Sequence, residues 1–311
     1  MNEQRTTLAR GAALASISVA LFLVALKLWA TWRTGSVSML GSLADSTLDL
    51  VASLATLVGV WVAAQPADSN HRFGHGKAEA VAALVQVMLI MFSAFGIAIR
   101  SGQQLLAGAR VEAPAEGMAV SGVAILATFA LLAWQRYVIA RTRSVAIKTD
   151  HVHYQSDLLL NLAVIVALAL DAWLGFGWAD PVFGLGIAAW LAFGAWRASS
   201  EVVSHLMDEE WPEEKRRAFV ERAARHPELA NLHDLRTRTS GTHDFVQFHV
   251  DMPEDMTVRE AHDILEKVEA DLCAAFPDTE ILIHIDPEGH VDEPDNPLVE
   301  QDEFARLKEE K

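Results

Sequence analysis

Long apolar segments in the first two-thirds of this chain constrain its fold more than any other feature. Six of them are each near or above the roughly 20 residues with which an α-helix crosses a bilayer. They lie at about residues 11–32, 36–64, 78–106, 117–140, 148–174 and 180–206. The last third of the chain is polar. We therefore predict an α-helical membrane protein with six transmembrane helices, followed by a soluble domain.

Basic residues indicate which side of the membrane the loops face. Arg and Lys are concentrated at the segment ends that share a side with both termini: Arg5, Arg10, Arg72, Lys77, Arg141, Arg143 and Lys148, against Arg33 and Arg110 at the opposite ends. The positive-inside rule assigns the richer side to the cytoplasm. The first segment is long for a secretory signal and precedes further spans. The sequence thus predicts a multi-pass protein of the cytoplasmic (inner) membrane with both termini in the cytosol.

Ionisable residues stand inside two of the apolar segments. Asp45 and Asp49 are four residues apart, as are His153 and Asp157, so each pair shares one face of a helix. A charge at bilayer depth costs roughly 2.5–3.5 kcal/mol, so such residues persist mainly along ion or substrate pathways. Three carboxylates and one imidazole are enough to complete a tetrahedral zinc shell. The pattern predicts a membrane transporter of a divalent metal.

Charge and cysteine content exclude other kinds of partner and site. The net charge of −16 argues against nucleic acid as a partner, because phosphate neutralisation needs clustered Lys and Arg. Cys273 is the only cysteine, which excludes an intramolecular disulfide and a cysteine-based zinc site within one chain. Any metal must therefore be bound by carboxylate and imidazole groups.

From about residue 208 the pattern becomes that of a small soluble domain. Pro212, followed by two glutamates, predicts the start of a helix. Two short strands are predicted near 231–240 and 243–252. Thr257 and Glu260 then form a capping-box pattern that starts a second helix, and an apolar strand follows it. The predicted order is αββαβ, an α+β domain.

Alternation along the strands predicts a polar sheet face that carries histidines. In the second strand His249 falls on that face. In the last strand His284 and Asp286 share it, and the residues predicted to point inward are Ile281, Ile283 and Ile285. The predicted division of the chain is a membrane domain at 1–207, a metal-binding αββαβ domain at 208–290 and an acidic disordered tail at 291–311.

At this point the motifs resemble those of a known family. Asp45 and Asp49, then GHGKAEA at residues 74–80, then HYQSDLLLN at 153–161, ahead of an αββαβ domain, resemble the cation diffusion facilitators, and among them the bacterial zinc and iron efflux members. The resemblance covers about residues 8–288. It implies six transmembrane helices, a cytosolic metallochaperone-like domain, a homodimer in the lipid bilayer, and exchange of a divalent metal against protons.

The resemblance also implies three sets of metal ligands. The transport site would consist of Asp45, Asp49, His153 and Asp157, with no departure from the zinc-type pattern. His153 favours zinc over manganese as the transported ion, with cadmium and iron(II) as further candidates. A binuclear zinc site near the dimer interface, with a bridging carboxylate, would consist of His233, His249, His262, His284 and Asp286.

The third set lies in the loop between the second and third spans. Asp68, His71 and His75 have the ligand types of a zinc site with an open fourth position, and the family has such a site there. A solvated loop whose histidines touch lipid headgroups is the alternative.

These features predict a transporter rather than an enzyme: efflux of a divalent metal, zinc first, by proton antiport. Two alternatives stay open. A membrane-anchored zinc sensor would need the cytosolic ligands alone. A membrane metallohydrolase would need an open metal position and a nearby general base in a water-accessible cleft.

Overall fold

The computed structural model describes residues 2–34, 37–107, 115–174, 178–241, 243–289 and 302–309. The chain divides into two compact units, Met1–Val203 and Ser204–Lys311.

Long helices build the first unit. Their bounds are α1 Asn2–Thr34, α2 Val37–Ala63, α3 Ala78–Ala107, α4 Ala115–Thr142, α5 Val145–Leu174 and α6 Ala179–Leu206. Within the described residues, α1, α2, α3, α4 and α6 are long and apolar enough to cross a membrane. Helix α5 has 30 residues but carries Lys148, Asp150 and Asp157 in its first half. The prediction of a helical membrane domain is confirmed.

Small residues let these helices approach closely. Helix α1 contacts α2 and α4, and α3 contacts α2 and α5. Ala12, Ala13 and Ala146 are fully buried in one apolar cluster. A Cβ atom added at Gly59 of α2 would overlap the Cβ of Ala82 on α3. Such close packing is typical of membrane helices, whose association depends on van der Waals contact.

The second unit has the predicted αββαβ order. Its elements are α7 Glu213–Ala223, β1 Ala230–Ser240, β2 His243–Met252, α8 Val258–Ala275 and β3 Thr279–Pro287. The sheet order is β1-β2-β3, with β1 antiparallel and β3 parallel to β2. The capping box at the start of α8 is present, because Glu260 and Thr257 bond to each other's backbone N–H groups.

Helices α7 and α8 pack on a common apolar core with the sheet. Phe219 of α7 and Phe248 of β2 are each almost fully buried, with ring centroids 5.7 Å apart. Leu272 of α8 and Ile281 of β3 belong to the same cluster. Ile285 shares the face of Ile281 and Ile283 because the register of β3 with β2 is regular, but at 37% exposed it is not part of the buried core. It stands near the end of β3, which pairs with β2 alone among the described strands.

The acidic tail contains a helix rather than being disordered throughout. Helix α9 spans Glu303–Glu309. Leu307 is buried in the core of the second unit, and Phe304 packs against it. Arg216 of α7 forms an ion pair with Glu303. The prediction of a disordered tail is therefore wrong for these residues, because two apolar side chains three residues apart bind α9 to the domain. The rest of the predicted tail lies outside the described residues, apart from Asp302.

Candidate metal centres

Helices α2 and α5 bring three ionisable side chains of the membrane domain together. Nε2 of His153 lies 3.2 Å from Oδ1 of Asp49 and 3.9 Å from Oδ2 of Asp157. One ligand atom from each residue lies within 4.8 Å of the others. His153 is 5% exposed, so its imidazole is inside the helix bundle. Asp49, His153 and Asp157 are called the membrane cluster below.

The spacing of the membrane cluster suits a tetrahedral metal ion. Two ligand atoms bound tetrahedrally at about 2.0–2.1 Å lie roughly 3.3 Å apart, close to the 3.2 Å between His153 and Asp49. Despite that short distance, Nε2 of His153 is buried without hydrogen-bonding geometry to any residue that the structure describes. A buried nitrogen without a well-formed hydrogen bond is costly. A metal ion bound by all three residues would satisfy it.

Asp45, the fourth residue predicted for this site, is not part of the membrane cluster. It is exposed and lies one turn before Asp49 on α2. Lys27 of α1 reaches the same stretch of α2, where it donates hydrogen bonds to Oγ of Ser46 over 2.6 Å and to the carbonyl of Ser42 over 3.2 Å. Its ammonium therefore supplies positive charge next to the acidic residues of α2.

The loop between α2 and α3 holds a second cluster. Nδ1 of His71 lies 3.2 Å from Oδ1 of Asp68, and Nε2 of His75 lies 3.4 Å from Oδ2 of Asp68. The facing nitrogens of the two imidazoles lie 3.1 Å apart. These separations are close to those expected for ligands of one tetrahedral zinc ion. The structure thus brings together all three residues predicted for the loop site.

Hydrogen bonds hold the loop cluster in place. The backbone N–H groups of His71 and Asn70 donate to Oδ1 of Asp68 over 2.7 and 2.8 Å, and they hold the pKa of this carboxyl below its ordinary value. Nδ1 of His75 lies 3.2 Å from the carbonyl oxygen of Pro66. A carbonyl only accepts, so Nδ1 carries the proton and Nε2 keeps its lone pair for a metal.

Strands β1, β2 and β3 carry a third cluster around Asp286. Oδ2 of Asp286 lies 2.9 Å from Nδ1 of His249 and 3.5 Å from Nε2 of His233. Oδ1 lies 3.4 Å from Nε2 of His284. Asp286 is 6% exposed. Because the two oxygens of one buried carboxylate face different histidines, the arrangement suits a carboxylate shared by two metal ions.

Two residues differ from the predicted composition of this third cluster. His262 lies on the exposed side of α8 and is not in the group of three residues whose ligand atoms all lie within 4.8 Å of one another, a group that also lacks His284. Asp234 was missed by the sequence analysis, yet its Oδ2 lies 3.6 Å from Nε2 of His249. Neighbours along a regular strand point to opposite faces. The pairing of β1 is irregular between His233 and Arg236, and Asp234 has a φ of 48°, so strict alternation does not hold there.

Asp150, which was not among the predicted site residues, is fully buried on α5. Its carboxylate accepts hydrogen bonds from three other helices through Ser16, Gln86 and Gln135. Its position three residues before His153 on the same helix is the signal that would have found it.

Comparison with known proteins covers both units of the chain. Residues 13–207 match the family described as the cation efflux transmembrane domain, and residues 211–288 match the cytoplasmic domain of cation efflux proteins. The cation-efflux pump FieF of Cronobacter sakazakii is 42% identical over 287 residues, which cover 92% of this chain and 95% of the relative. FieF of Pectobacterium atrosepticum is 43% identical over 293 residues, which cover 94% and 97%.

Among solved structures, the metal-bound C-terminal domain of the CzcD transporter from Thermotoga maritima is 26% identical, with a TM-score of 0.25, and the match covers 26% of this chain and 99% of that domain. The family matches and the relatives of nearly equal length agree with the resemblance found in the motifs. The chain belongs to the cation diffusion facilitator family and is a cation efflux transporter rather than an enzyme.

Proposed function

We propose that this protein exports zinc from the cytosol across the cytoplasmic membrane in exchange for protons. The observation that carries the proposal is the membrane cluster, where the buried Nε2 of His153 lies 3.2 Å and 3.9 Å from two carboxylates. Imidazole suits zinc and other transition metals better than it suits manganese. Cadmium and iron(II) are further candidate substrates.

We infer that Asp45 completes the shell when metal binds. The cluster supplies three protein ligands, and Asp45 stands one turn away on the same helix as Asp49. A small rotation or shift of α2 would bring its carboxylate toward the ion. Four ligands would then enclose the metal as the tetrahedral preference of zinc requires.

Proton exchange follows from the chemistry of the ligands. Carboxylates and imidazole bind a metal only when they are deprotonated, so metal loading releases protons. At a more acidic outer face, protons would compete for the same groups and favour metal release. Each transport cycle would then carry protons inward as metal leaves. The basic residues at the ends that share a side with the termini support cytosolic termini for this cycle.

For the cytosolic unit we propose a homodimer with a binuclear zinc site centred on Asp286. The support is that Oδ2 faces His233 and His249 while Oδ1 faces His284. His262, which lies apart from this group within one chain, is proposed as a ligand only in the assembled dimer. Zinc bound there would stabilise the assembled state, as any ligand does that binds one state preferentially.

A zinc sensor that does not transport is the alternative. It would need only the cytosolic ligands, so a buried cluster of metal ligands in the membrane domain would have no role. The two functions differ in what replacement of Asp157 should do: flux disappears in a transporter, whereas a sensor is unaffected.

Reconstituted vesicles separate these functions. The full-length protein is placed in proteoliposomes that contain a zinc-sensitive dye, with the lumen more acidic than the bath. We expect zinc uptake that depends on the pH difference and that Asp157→Ala abolishes. Zinc uptake that does not depend on the pH difference would overturn proton antiport. Absence of uptake at every pH difference would overturn zinc transport. Competition by cadmium, iron(II) and manganese in the same vesicles ranks the substrates.

A further inference from the structure

A polar stripe runs along the face of α5 that carries two of the proposed metal ligands. Asp150, His153, Tyr154 and Asp157 occupy positions i, i+3, i+4 and i+7, which share one face of a helix. Asp150 is 0% exposed and Tyr154 1% exposed. The stripe therefore faces other helices rather than lipid.

Asp150 joins α5 to three other helices through donors that carry no charge. Its Oδ2 accepts from Oγ of Ser16 on α1 over 2.6 Å and from Nε2 of Gln135 on α4 over 2.7 Å. Its Oδ1 accepts from Nε2 of Gln86 on α3 over 2.9 Å. Gln86 in turn donates to Oγ1 of Thr56 on α2. The hydrogen bonds that Asp150 accepts thus link α5 to α1, α3 and α4 directly, and to α2 through Gln86.

Tyr154 repeats this connection one turn further along α5. Its hydroxyl donates to the carbonyl of Ser16 over 3.1 Å and lies 2.9 Å from Oγ of Ser53 on α2. His153 is next to Tyr154, and it must meet Asp49 of α2 for the membrane cluster to exist. Asp150 and Tyr154, which both bond to other helices, therefore lie on either side of the His153 imidazole along the stripe.

We propose that Asp150 is a positioning residue for the transport site: it holds the rotation and axial level of α5 so that His153 and Asp157 meet Asp49. A helix with side chains is about 10–12 Å across, so a rotation of roughly 10° moves a side-chain tip by about 1 Å. Metal ligands need placement within about 0.5 Å. Three bonds to one carboxylate, from three helices, restrict that rotation.

The positioning role of Asp150 can be tested by exchanging the hydrogen-bond acceptor at residue 150 with the donor at residue 86. In Asp150→Asn, the amide oxygen still accepts from Ser16 and Gln135, but the new NH₂ group faces the NH₂ group of Gln86. One donor is then left unpaired unless Gln86 turns over and gives up its own contacts. The double variant Asp150→Asn with Gln86→Glu restores a donor opposite an acceptor and keeps the total charge.

The inference rests on the proposed function, so the test measures zinc binding at the transport site alone. All variants are made in full-length protein that also carries Asp68→Ala and Asp286→Ala, which remove the other two proposed sites. Zinc titration in detergent gives the Kd, and size-exclusion chromatography with circular dichroism checks folding. We expect Asp150→Asn to raise the Kd for zinc about tenfold. In the double variant the Kd should be at most about threefold above that of the background protein, which is half of the change on a logarithmic scale.

Thr149→Val is the matched control. Thr149 is a buried neighbour of Asp150 whose hydroxyl bonds to Val145 of its own helix, so the variant should keep the Kd within twofold. An unchanged Kd in Asp150→Asn, an equal loss in Thr149→Val, or no recovery in the double variant would overturn the positioning role alone. Absence of zinc binding in the background protein would overturn the proposed function and this inference with it.

Discussion

Nε2 of His153 on α5 lies 3.2 Å from Oδ1 of Asp49 on α2, so two distant segments of the chain meet at one candidate metal position. The acidic residues of the site differ in how near they lie to His153. Asp49 and Asp157 already face His153, whereas Asp45 lies one turn away from Asp49 and is exposed. Their removal should therefore have unequal effects on transport.

We expect Asp49→Ala and Asp157→Ala each to abolish zinc flux, because each variant leaves only one carboxylate that already faces His153, too few preformed ligands to hold the ion. Asp45→Ala should leave weak but measurable flux, since three protein ligands and a water still form a zinc site. Flux into proteoliposomes measures all three. Asn161→Ala serves as the control, because its side chain bonds to the Asp157 carbonyl within α5. Equal loss in Asp45→Ala and Asp49→Ala would contradict this ranking.

The loop cluster predicts how many protons zinc displaces. Backbone N–H groups of His71 and Asn70 hold the pKa of Asp68 below its ordinary value, so this carboxylate stays ionised as the pH falls to about 5. Histidine is the side chain that titrates in that range. Zinc binding at the loop should therefore release no proton from Asp68 between about pH 7 and pH 5.

Full-length protein carrying Asp157→Ala and Asp286→Ala isolates this loop site for titration. Across that pH range we expect release of no more than two protons per zinc, because Asp68 is already ionised and the cluster holds two other ligands. Asp68→Asn should abolish binding at every pH, because the amide cannot replace the carboxylate charge. Release of three protons would show that Asp68 also titrates in this window, contrary to the lowered pKa.

Features that depend on local patterns could be predicted from the sequence. Segment length identified the membrane helices, and alternation with the capping box at Thr257 identified the αββαβ order. The proximity of Asp68, His71 and His75 was also predictable, since these residues lie within one short segment. In each case the physical signal is contained in neighbouring residues.

Features that depend on how elements meet could not be predicted. Asp45 and Asp49 stand on the same face of α2, so their spacing does not tell which of them is nearer His153. Only the packing of α2 against α5 shows which one faces it. Asp150 has partners on three other helices, which periodicity does not reveal. Asp234 reaches His249 because β1 pairs irregularly near it. Helix α9 was not predicted, because the acidic composition of the tail indicated disorder and two apolar residues were too few to indicate a helix.

The position of Asp286 at the centre of the third cluster predicts how many zinc ions the second unit binds. Both oxygens of Asp286 face histidines, so Asp286→Ala should remove both proposed zinc ions. His262→Ala should keep at least one ion per protomer, because His233, His249 and Asp286 lie together without it. Zinc content is measured after buffer exchange of full-length protein that carries Asp49→Ala and Asp68→Ala. Two retained ions in Asp286→Ala would contradict a shared carboxylate.

Helix α9 makes a prediction about stability. Leu307 is 8% exposed and belongs to the core of the second unit, and replacing a buried leucine by alanine costs about 2 kcal/mol or more. We expect Leu307→Ala to lower the free energy of opening of this unit by about 2 kcal/mol, read from hydrogen exchange of the α7 amides in the full-length protein. Lys308→Ala is the control, because Lys308 is the next residue on α9 and is exposed. If Leu307→Ala left the exchange of α7 as slow as Lys308→Ala does, α9 would not be part of the folded domain, and the tail would be disordered after all.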